Sequence, residues 1–226
     1  MLKEKVVAIV PARNEEKTIG GVLKVLLDSK RFNEIIVVDG ASTDNTAKIS
    51  EDMGVKVIRS PKREGKGMAM KKGLESTDAE ILVFFDADLI GLTKKHIPQL
   101  IDPVLKKEVV MCTGERSRCL GLPYAIAKID PLLAIGGERA IRRSILENIP
   151  ERFIQNFAVE TALNYYCRVN NLPAILVKLE GVELITKEKK WGLVMGLLDR
   201  VREVWQVIKI RFLIIISKED FKIKNV

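Results

Sequence analysis

Residues 6–40 read VVAIVPARNEEKTIGGVLKVLLDSKRFNEIIVVDG, and this stretch decides the fold. Its two short apolar runs, residues 6–10 and 35–38, are rich in β-branched side chains, as buried strands are. The segment between them carries apolar side chains at helical spacing, and Asn14 is the predicted N-cap of that helix. A strand, a helix and a second strand in this order predict a βαβ unit with parallel strands.

The same alternation continues along the chain and indicates one α/β domain. The five consecutive apolar residues 81–85 suit a central strand covered on both faces. We therefore expect a mixed, mostly parallel central sheet with helices on both faces. Further helices are predicted at residues 46–53, 67–74, 139–146 and 159–170, and further strands at 55–58, 109–113 and 174–179.

Composition narrows the class of protein. The 47% hydrophobic content is ample for a buried core, and the net charge of +8 would attract polyanions, acidic membranes or phosphorylated small molecules. Aromatic residues make up only 5% and no reader motif is visible, which argues against nucleic acid. The three cysteines lack paired metal-ligand spacing, and no secretory signal is visible, so a reducing, cytoplasmic location is expected.

Residues 84–88, FFDAD, place two carboxylates two positions apart just beyond the predicted central strand. Because side chains at i and i+2 of an extended segment point to the same side, Asp86 and Asp88 can address one ligand. Ligands of open parallel sheets bind beyond the carboxyl ends of the strands, and carboxylates suit Mg²⁺ or Mn²⁺ bridging a diphosphate. The alternative is that both are solvated acids in a loop.

Polar residues follow the neighbouring strands in the same way. Asp39 ends one strand, and Asn14 with Glu15 follows another, so three polar clusters are predicted at one edge of the sheet. Such groups can bind ribose hydroxyls and a base edge, although helix capping is the alternative role of Asn14 and Glu15. Residues 63–67, REGKG, form a basic turn in which Lys66 and backbone N–H groups can face a phosphate.

The patterns of other nucleotide-binding classes are missing. The sequence contains no GxxxxGK[ST], which argues against a P-loop nucleotidase, and no GxGxxG after the first strand, which argues against a dinucleotide oxidoreductase. A sugar nucleotidyltransferase would carry a glycine-rich loop after the first strand, where residues 11–14 read PARN. A non-catalytic nucleotide-binding protein stays open as a third class.

Four segments occur together in order: VPARNEE at 10–16, VVDGASTDNT at 37–46, GKG at 65–67 and DAD at 86–88. In this they resemble the nucleotide-sugar glycosyltransferases of the GT-A fold, the large family 2 and its relatives. The resemblance implies a Rossmann-like GT-A sheet and metal-dependent transfer of a hexose from a UDP- or GDP-sugar.

The resemblance also implies roles for single residues. Asp86 would lie near the ribose, Asp88 would hold Mg²⁺ or Mn²⁺ on the diphosphate, and Asp86 is a second candidate metal ligand. The other predicted nucleotide-binding residues are Pro11, Ala12, Asn14, Glu15, Asp39, Lys66 and Ala87.

The second half is most similar to glucosyl-3-phosphoglycerate synthases, through PLLAIGGERA at 131–140 and VETAL at 159–163. In that family a basic segment after the fifth strand binds the acceptor's phosphate and carboxylate, and Arg116, Ser117 and Arg118 occupy this place. The resemblance implies a phosphorylated acceptor such as 3-phosphoglycerate. Residues 186–188, TKE, stand where those enzymes carry a metal-binding His, so the third protein ligand stays open.

Glu138 and Glu160 are the candidate catalytic carboxylates beside Asp88, because the resemblance places both near the acceptor. They would act in acid-base chemistry or bind the acceptor. The alternative for either is an ion pair with a neighbouring arginine, such as Arg139 or Arg142.

The chain is also similar to polyprenyl-phosphate sugar synthases. Residues 191–208 form an amphipathic pattern that could bind the inner face of a membrane, or pack on the domain or on a second copy of the chain in a homodimer. The single domain 1–226 is thus expected to contain a nucleotide-sugar-binding half at 1–115, an acceptor-binding half at 116–190 and a C-terminal helical segment at 191–226.

Overall fold

The computed structural model describes residues 4–116, 136–154, 158–184, 213 and 216–223. Two short 3₁₀ turns, Glu151–Phe153 and Lys218–Phe221, accompany the main elements. These are, in chain order, β1 (Val6–Ala12), α1 (Ile19–Ser29), β2 (Glu34–Asp39), α2 (Thr46–Asp52), β3 (Lys56–Arg59), α3 (Lys66–Glu75), β4 (Ile81–Phe84), β5 (Leu89–Ile90), α4 (His96–Leu105), β6 (Met111–Glu115), β7 (Arg139–Arg142), α5 (Arg143–Glu147), α6 (Ala158–Val169), β8 (Ala174–Lys178) and β9 (Glu183–Leu184).

The described strands form a seven-stranded sheet in the order β3-β2-β1-β4-β7-β6-β8, and β5 pairs separately with β9. All neighbours in the large sheet are parallel except β7, which runs antiparallel to both β4 and β6. Its first residue, Arg139, therefore lies opposite Phe84, the last residue of β4, and opposite Thr113 in the middle of β6. The expected mixed, mostly parallel sheet is confirmed.

Helices cover both faces of the sheet, as predicted. α1 and α4 pack on one face through Leu23 and Leu100, while α3 and α6 pack on the other through Met70 and Leu163. Residues 81–85 are fully buried between these layers, which confirms the central strand. Burying one such large apolar side chain contributes about 1.5–3 kcal/mol, so the sheet centre is the most strongly fixed part of the fold.

The helix expected at residues 139–146 is only half right. Arg139–Arg142 is the strand β7, and the helix begins at Arg143. Ala140 and Ile141 point into opposite layers of the core, and both pair with β4 and β6. This four-residue strand is stabilised by tertiary pairing with β4 and β6, which its own short pattern does not reveal.

The prediction of Asn14 as an N-cap is wrong. α1 begins at Ile19 after Thr18, and Asn14 adopts a left-handed backbone conformation with φ of 55°. Its side-chain oxygen accepts a hydrogen bond from the Thr43 backbone N–H at 2.8 Å, and its own N–H donates to Ser42 Oγ at 2.9 Å. Asn14 therefore ties the loop after β1 to the loop after β2, where the polar ends of the strands meet.

The end of the described chain packs on α6. Phe221 is fully buried against Phe153 and Tyr165, and the Asn170 side chain donates to the Phe221 carbonyl at 2.7 Å. The amphipathic pattern at 191–208 lies outside the described residues. Among the described helices, none is long and apolar enough to cross a bilayer.

His96, the only histidine of the chain, gives a pH-dependent prediction. Its Nδ1 lies 3.1 Å from the Thr93 backbone N–H, which donates to it, and burial lowers the pKa of the ring below its ordinary 6.5. A base with a lowered pKa in the folded state stabilises the fold above pH 6.5 and loses this contribution as the pH falls through the folded pKa. We expect the ring to titrate below pH 6.5 in NMR spectra.

Urea unfolding at pH 7.5 and 5.5 provides the second measurement. The wild type should lose more stability on acidification than His96→Asn, which has no ring to protonate. A ring pKa at or above 6.5, or an equal loss in both proteins, would contradict the prediction.

Candidate active site

A pocket of about 200 Å³ opens at the carboxyl edge of the parallel strands. It lies between the ends of β1 and β2 and the loop that leads from β3 into α3. Of the predicted nucleotide-binding residues, Pro11, Ala12 and Lys66 line it directly. The other lining residues are Arg13, Val38, Gly40, Ser60, Arg63, Glu64, Gly65 and Ala69.

Asp39 lies between two lining residues, Val38 and Gly40, and is almost completely buried. One carboxylate oxygen accepts a hydrogen bond from the Ser42 backbone N–H at 3.2 Å, while the other has no partner among the described residues. Because a buried acceptor without a partner costs about 1–3 kcal/mol, a ligand hydroxyl or amide that donates to it would be favoured there.

Glu15 lies in the loop beside this pocket rather than in its wall. The Glu15 backbone N–H donates to Thr46 Oγ1 at 2.8 Å, and its carbonyl accepts from the N–H groups of Thr18 and Ile19. Together with Asn14, it fixes the loop after β1 against the start of α2. Its backbone thus shapes the pocket edge.

Lys66 is the point where the pocket meets a cluster of charged side chains. Its ammonium donates to Asp86 Oδ1 at 2.5 Å and to Glu160 Oε1 at 2.7 Å. Lys66 opens α3, Asp86 follows β4, and Glu160 lies in the first turn of α6. Three distant parts of the chain are therefore joined by one cation.

Arg116 extends the cluster on the other side of Asp86. One guanidinium nitrogen, Nη1, lies 3.2 Å from Asp86 Oδ2 and 3.1 Å from Glu138 Oε1. Glu138 is fully buried, and its second oxygen has no partner among the described residues. The result is a chain of alternating charges that runs Glu160, Lys66, Asp86, Arg116, Glu138, which we call the site network.

Electrostatics decide which members of the site network are charged. Burial raises the pKa of Asp86, but Lys66 and Arg116 outweigh it and bring the pKa down to about 2. Burial also raises the pKa of Glu138, and Arg116 opposes this only in part, so the pKa reaches about 7. Burial lowers the pKa of Lys66, yet Asp86 and Glu160 together raise it above its ordinary value. Asp86 and Lys66 are thus ionised at neutral pH.

Two glycines allow the segment before β7 to approach the site network. A Cβ atom added to Gly137 would lie 2.1 Å from Asp86 Oδ2, and one added to Gly136 would lie 2.4 Å from the Gly114 carbonyl oxygen. These distances are shorter than any real contact. Only residues without a side chain can therefore occupy this close approach between Asp86 and the end of β6.

Ala87 and Asp88 form the turn between β4 and β5. Asp88 is partly exposed two residues beyond Asp86, and it offers the hard oxygen donors that Mg²⁺ and Mn²⁺ prefer. No group of three or more His, Cys, Asp or Glu side chains is arranged around a metal in the described part of the chain. Mg²⁺ commonly binds through one or two carboxylates together with phosphate oxygens and water, and Asp88 suits that mode.

Both glutamates form ion pairs, which was the alternative role suggested for them, but with other partners than the neighbouring Arg139 and Arg142. Glu138 pairs with Arg116 and Glu160 pairs with Lys66, while Arg142 pairs with Glu4 and donates to the Val104 carbonyl. The predicted acceptor residues Ser117 and Arg118 lie outside the described residues.

Arg13, Ser60 and Arg63 line the pocket but were not among the predicted nucleotide-binding residues, although Arg63 belongs to the basic turn at 63–67. Ser60 directly follows β3, and its backbone N–H donates to the Asp39 carbonyl at 2.8 Å. The rule that ligands gather beyond strand ends would have found Ser60 if it had been applied to β3 as well.

A parallel sheet with a polar pocket at its carboxyl edge and an Asp-Ala-Asp turn beyond the central strand defines a nucleotide-binding domain of the GT-A type. The sequence model of glycosyl transferase family 2 matches residues 7–164, and the chain belongs to this family.

The chain is similar to glucosyl-3-phosphoglycerate synthases in sequence. It is 30% identical over 187 residues to that of Mycolicibacterium smegmatis, covering 69% of this chain and 61% of the relative. It is 35% identical over 190 residues to that of Mycobacterium tuberculosis, covering 69% of this chain and 58% of the relative. The chain thus spans about three fifths of these curated relatives.

Solved structures of a glucosyl-3-phosphoglycerate synthase are also similar to this chain. The Mycobacterium tuberculosis synthase in complex with Mn²⁺, UDP-glucose and phosphoglyceric acid has a TM-score of 0.69 at 26% identity, over 87% of this chain and 79% of that one. The same enzyme in complex with Mg²⁺ and UDP has a TM-score of 0.67 at 25% identity over the same shares.

Gly137→Ala tests the close approach to Asp86. The added methyl must displace the carboxylate or the backbone, so the free energy of unfolding should fall by about 1–3 kcal/mol, the usual cost of overpacking. Gly21→Ala is the matched control, because a Cβ there has open space in the first turn of α1. It should raise stability by about 0.5–1 kcal/mol. Urea unfolding measures both, and wild-type stability of Gly137→Ala would show that the approach is looser.

Proposed function

We propose that this chain transfers glucose, or a closely related hexose, from a UDP-sugar to a small phosphorylated acceptor such as 3-phosphoglycerate, with Mn²⁺ or Mg²⁺ as cofactor. The observation that carries the proposal is the site network at the mouth of the pocket, where Lys66 and Arg116 are held on either side of Asp86. The likeness to glucosyl-3-phosphoglycerate synthases supports the choice of donor and acceptor.

The nucleoside would occupy the pocket at the ends of β1 and β2. The unpartnered oxygen of Asp39 can accept a hydrogen bond from the base or ribose, and Pro11 and Ala12 provide an apolar wall. Lys66 lies between the pocket and Asp86, so its ammonium can bind the diphosphate. Asp86 keeps acceptor sites beside its two cations, since a carboxylate can accept up to about four hydrogen bonds, and would accept from a ribose hydroxyl.

Asp88 would hold the divalent cation. When bound, the metal offsets the negative charge that develops on the departing nucleoside diphosphate. Asp88 is suited to this by its hard oxygens and by its place in the turn just beyond the central strand. Asp86 serves less well as a ligand, because both of its oxygens are bound by cationic side chains.

Arg116 would bind the anionic acceptor. Its guanidinium presents several donors in a planar fork, which matches the oxygens of phosphate and carboxylate groups. Glu138 accepts a hydrogen bond from one guanidinium nitrogen of Arg116 and so orients the guanidinium. Ser117 and Arg118 stay predictions for the same role.

Glu160 orients Lys66 in this scheme. It is almost fully buried and its carboxylate is bound by the ammonium, so it serves the donor side by holding a cation rather than by touching the acceptor. Glu138 has a pKa of about 7 and a free oxygen, which leaves it as the candidate for acid-base work.

A polyprenyl phosphate is the alternative acceptor. That reading rests on residues 191–208, which the structure does not describe, so peripheral membrane contact, a cytoplasmic location and a homodimer stay predictions. Assaying both acceptors side by side separates the two activities.

The first test is transfer from UDP-glucose to 3-phosphoglycerate or to a short polyprenyl phosphate in the presence of Mn²⁺. Asp88→Asn should abolish turnover and metal-dependent UDP binding in calorimetry while the circular dichroism spectrum is unchanged. Asp28→Asn is the control, since Asp28 forms an exposed pair with Lys24 on α1, away from the pocket residues. Undiminished UDP affinity of Asp88→Asn with metal present would refute the metal role.

The acceptor role is tested separately by Arg116→Lys. Lysine keeps the charge but loses the planar fork, so the KM for 3-phosphoglycerate should rise roughly tenfold or more, in line with the loss of a hydrogen bond to a charged group. The KM for UDP-glucose should change much less. Arg31→Lys on the surface, where Arg31 pairs with Asp102, is the control. An unchanged acceptor KM would place the acceptor elsewhere.

A further inference from the structure

Arg139 is a buried cation that the proposed chemistry does not use. The side chain is fully buried at the start of β7, and no carboxylate forms an ion pair with it among the described residues. Its Nε has no hydrogen-bond partner there either. Guanidinium groups stay protonated in proteins, so this position holds a charge whose desolvation costs several kcal/mol. The nearby carboxylates of Glu160 and Glu138 offset part of this cost, and two backbone carbonyls accept hydrogen bonds from the guanidinium.

The hydrogen bonds of Arg139 indicate a role for this cation. Nη2 donates to the Gly136 carbonyl at 2.6 Å, and Nη1 is 3.4 Å from the Glu160 carbonyl. The guanidinium thus spans the segment that packs on Asp86 and the first turn of α6. Both acceptors are backbone groups, so the arginine fixes where the main chain lies.

These contacts close a ring of interactions behind the site. From Arg139, one bond leads to Glu160, whose carboxylate binds Lys66, and Lys66 in turn binds Asp86. Asp86 packs on Gly137, which is next to the Gly136 carbonyl that Arg139 binds. Arg139 is the one member of this ring that holds both sides through the backbone.

We propose that Arg139 is a positioning residue that sets the distance between α6 and the Gly136–Gly137 segment, and thereby holds Glu160 in place to direct the Lys66 ammonium at the donor diphosphate. This rests on the proposed donor site. Arg139 touches no substrate itself. It acts through Glu160, whose carboxylate transmits the position of α6 to Lys66.

Two other roles would leave different traces. If the role of Arg139 is purely structural, replacing it should change the unfolding free energy without changing the nucleotide affinity of the folded protein. If Arg139 acts only by its charge, replacing it should weaken nucleotide binding equally whether or not Glu160 is present. A positioning residue loses its effect on binding once Glu160 is removed, because nothing then connects α6 to Lys66.

The test is a double-mutant cycle of Arg139→Met and Glu160→Ala, with the UDP affinity measured by calorimetry in saturating Mn²⁺ at a temperature where each variant is folded. Arg142→Met is the matched control, because it removes an arginine from the other end of the same strand, where Arg142 binds Glu4 and the Val104 carbonyl. Arg139→Lys replaces Arg139→Met in the cycle if the latter does not fold.

Arg139→Met should weaken UDP binding on the order of tenfold in the wild-type background, as the loss of outer-shell partners does at metal sites. In the Glu160→Ala background the same change should weaken it less than twofold, and Arg142→Met should leave the affinity as it is. Equal losses in both backgrounds, or wild-type affinity of Arg139→Met, would overturn the positioning role alone. A wild type that does not bind UDP with Mn²⁺ would overturn the proposed function and this inference together.

Discussion

The ion pair between Lys66 and Asp86 is the contact on which the rest of the site depends. Both side chains are mostly buried, and each would be costly alone, because removing one partner of a buried pair leaves an uncompensated charge worth about 3–5 kcal/mol. Lys66 satisfies this demand with two carboxylates and Asp86 with two cations. The charged side chains are therefore ordered before any ligand binds. In the proposed function, the Lys66 ammonium would lose little further conformational freedom on binding a diphosphate.

The reversed strand β7 explains how distant residues reach this pair. A parallel strand between β4 and β6 would begin at the opposite edge of the sheet. Because β7 is antiparallel, its preceding residues Gly136, Gly137 and Glu138 arrive at the carboxyl edge, beside Asp86 and Arg116. The same strand begins with Arg139, which lies next to the site network and binds the Gly136 and Glu160 carbonyls. One change of strand direction therefore supplies the close glycine contact, the buried glutamate and the buried arginine.

The sequence was sufficient to place several predicted site residues and insufficient for the contacts across the chain. The rule about strand ends placed Asp39 and Asp86 at the carboxyl edge of the sheet, and the basic turn before a predicted helix placed Lys66 at the start of α3. The pairing of Lys66 with Glu160 joins residues 94 positions apart, and no local pattern encodes it. For the same reason, the alternative partners suggested for Glu138 and Glu160 were neighbouring arginines, and Asn14 was taken for a helix cap when it bridges two loops. Local propensity could not reveal β7, since pairing on both sides determines that strand.

The residues that match the family model include the whole site network. All five members of the site network, from Lys66 to Glu160, fall within residues 7–164, where the family model matches. The additional length of the curated relatives is therefore not needed to build the network or the pocket beside it. In the proposed function, a charged cluster of this kind constrains the donor, because UDP-, GDP- and ADP-sugars all carry a diphosphate. Acceptors differ in size and in where their charge lies, so the residues that bind the acceptor have to be determined on this chain itself, beginning with the proposed role of Arg116.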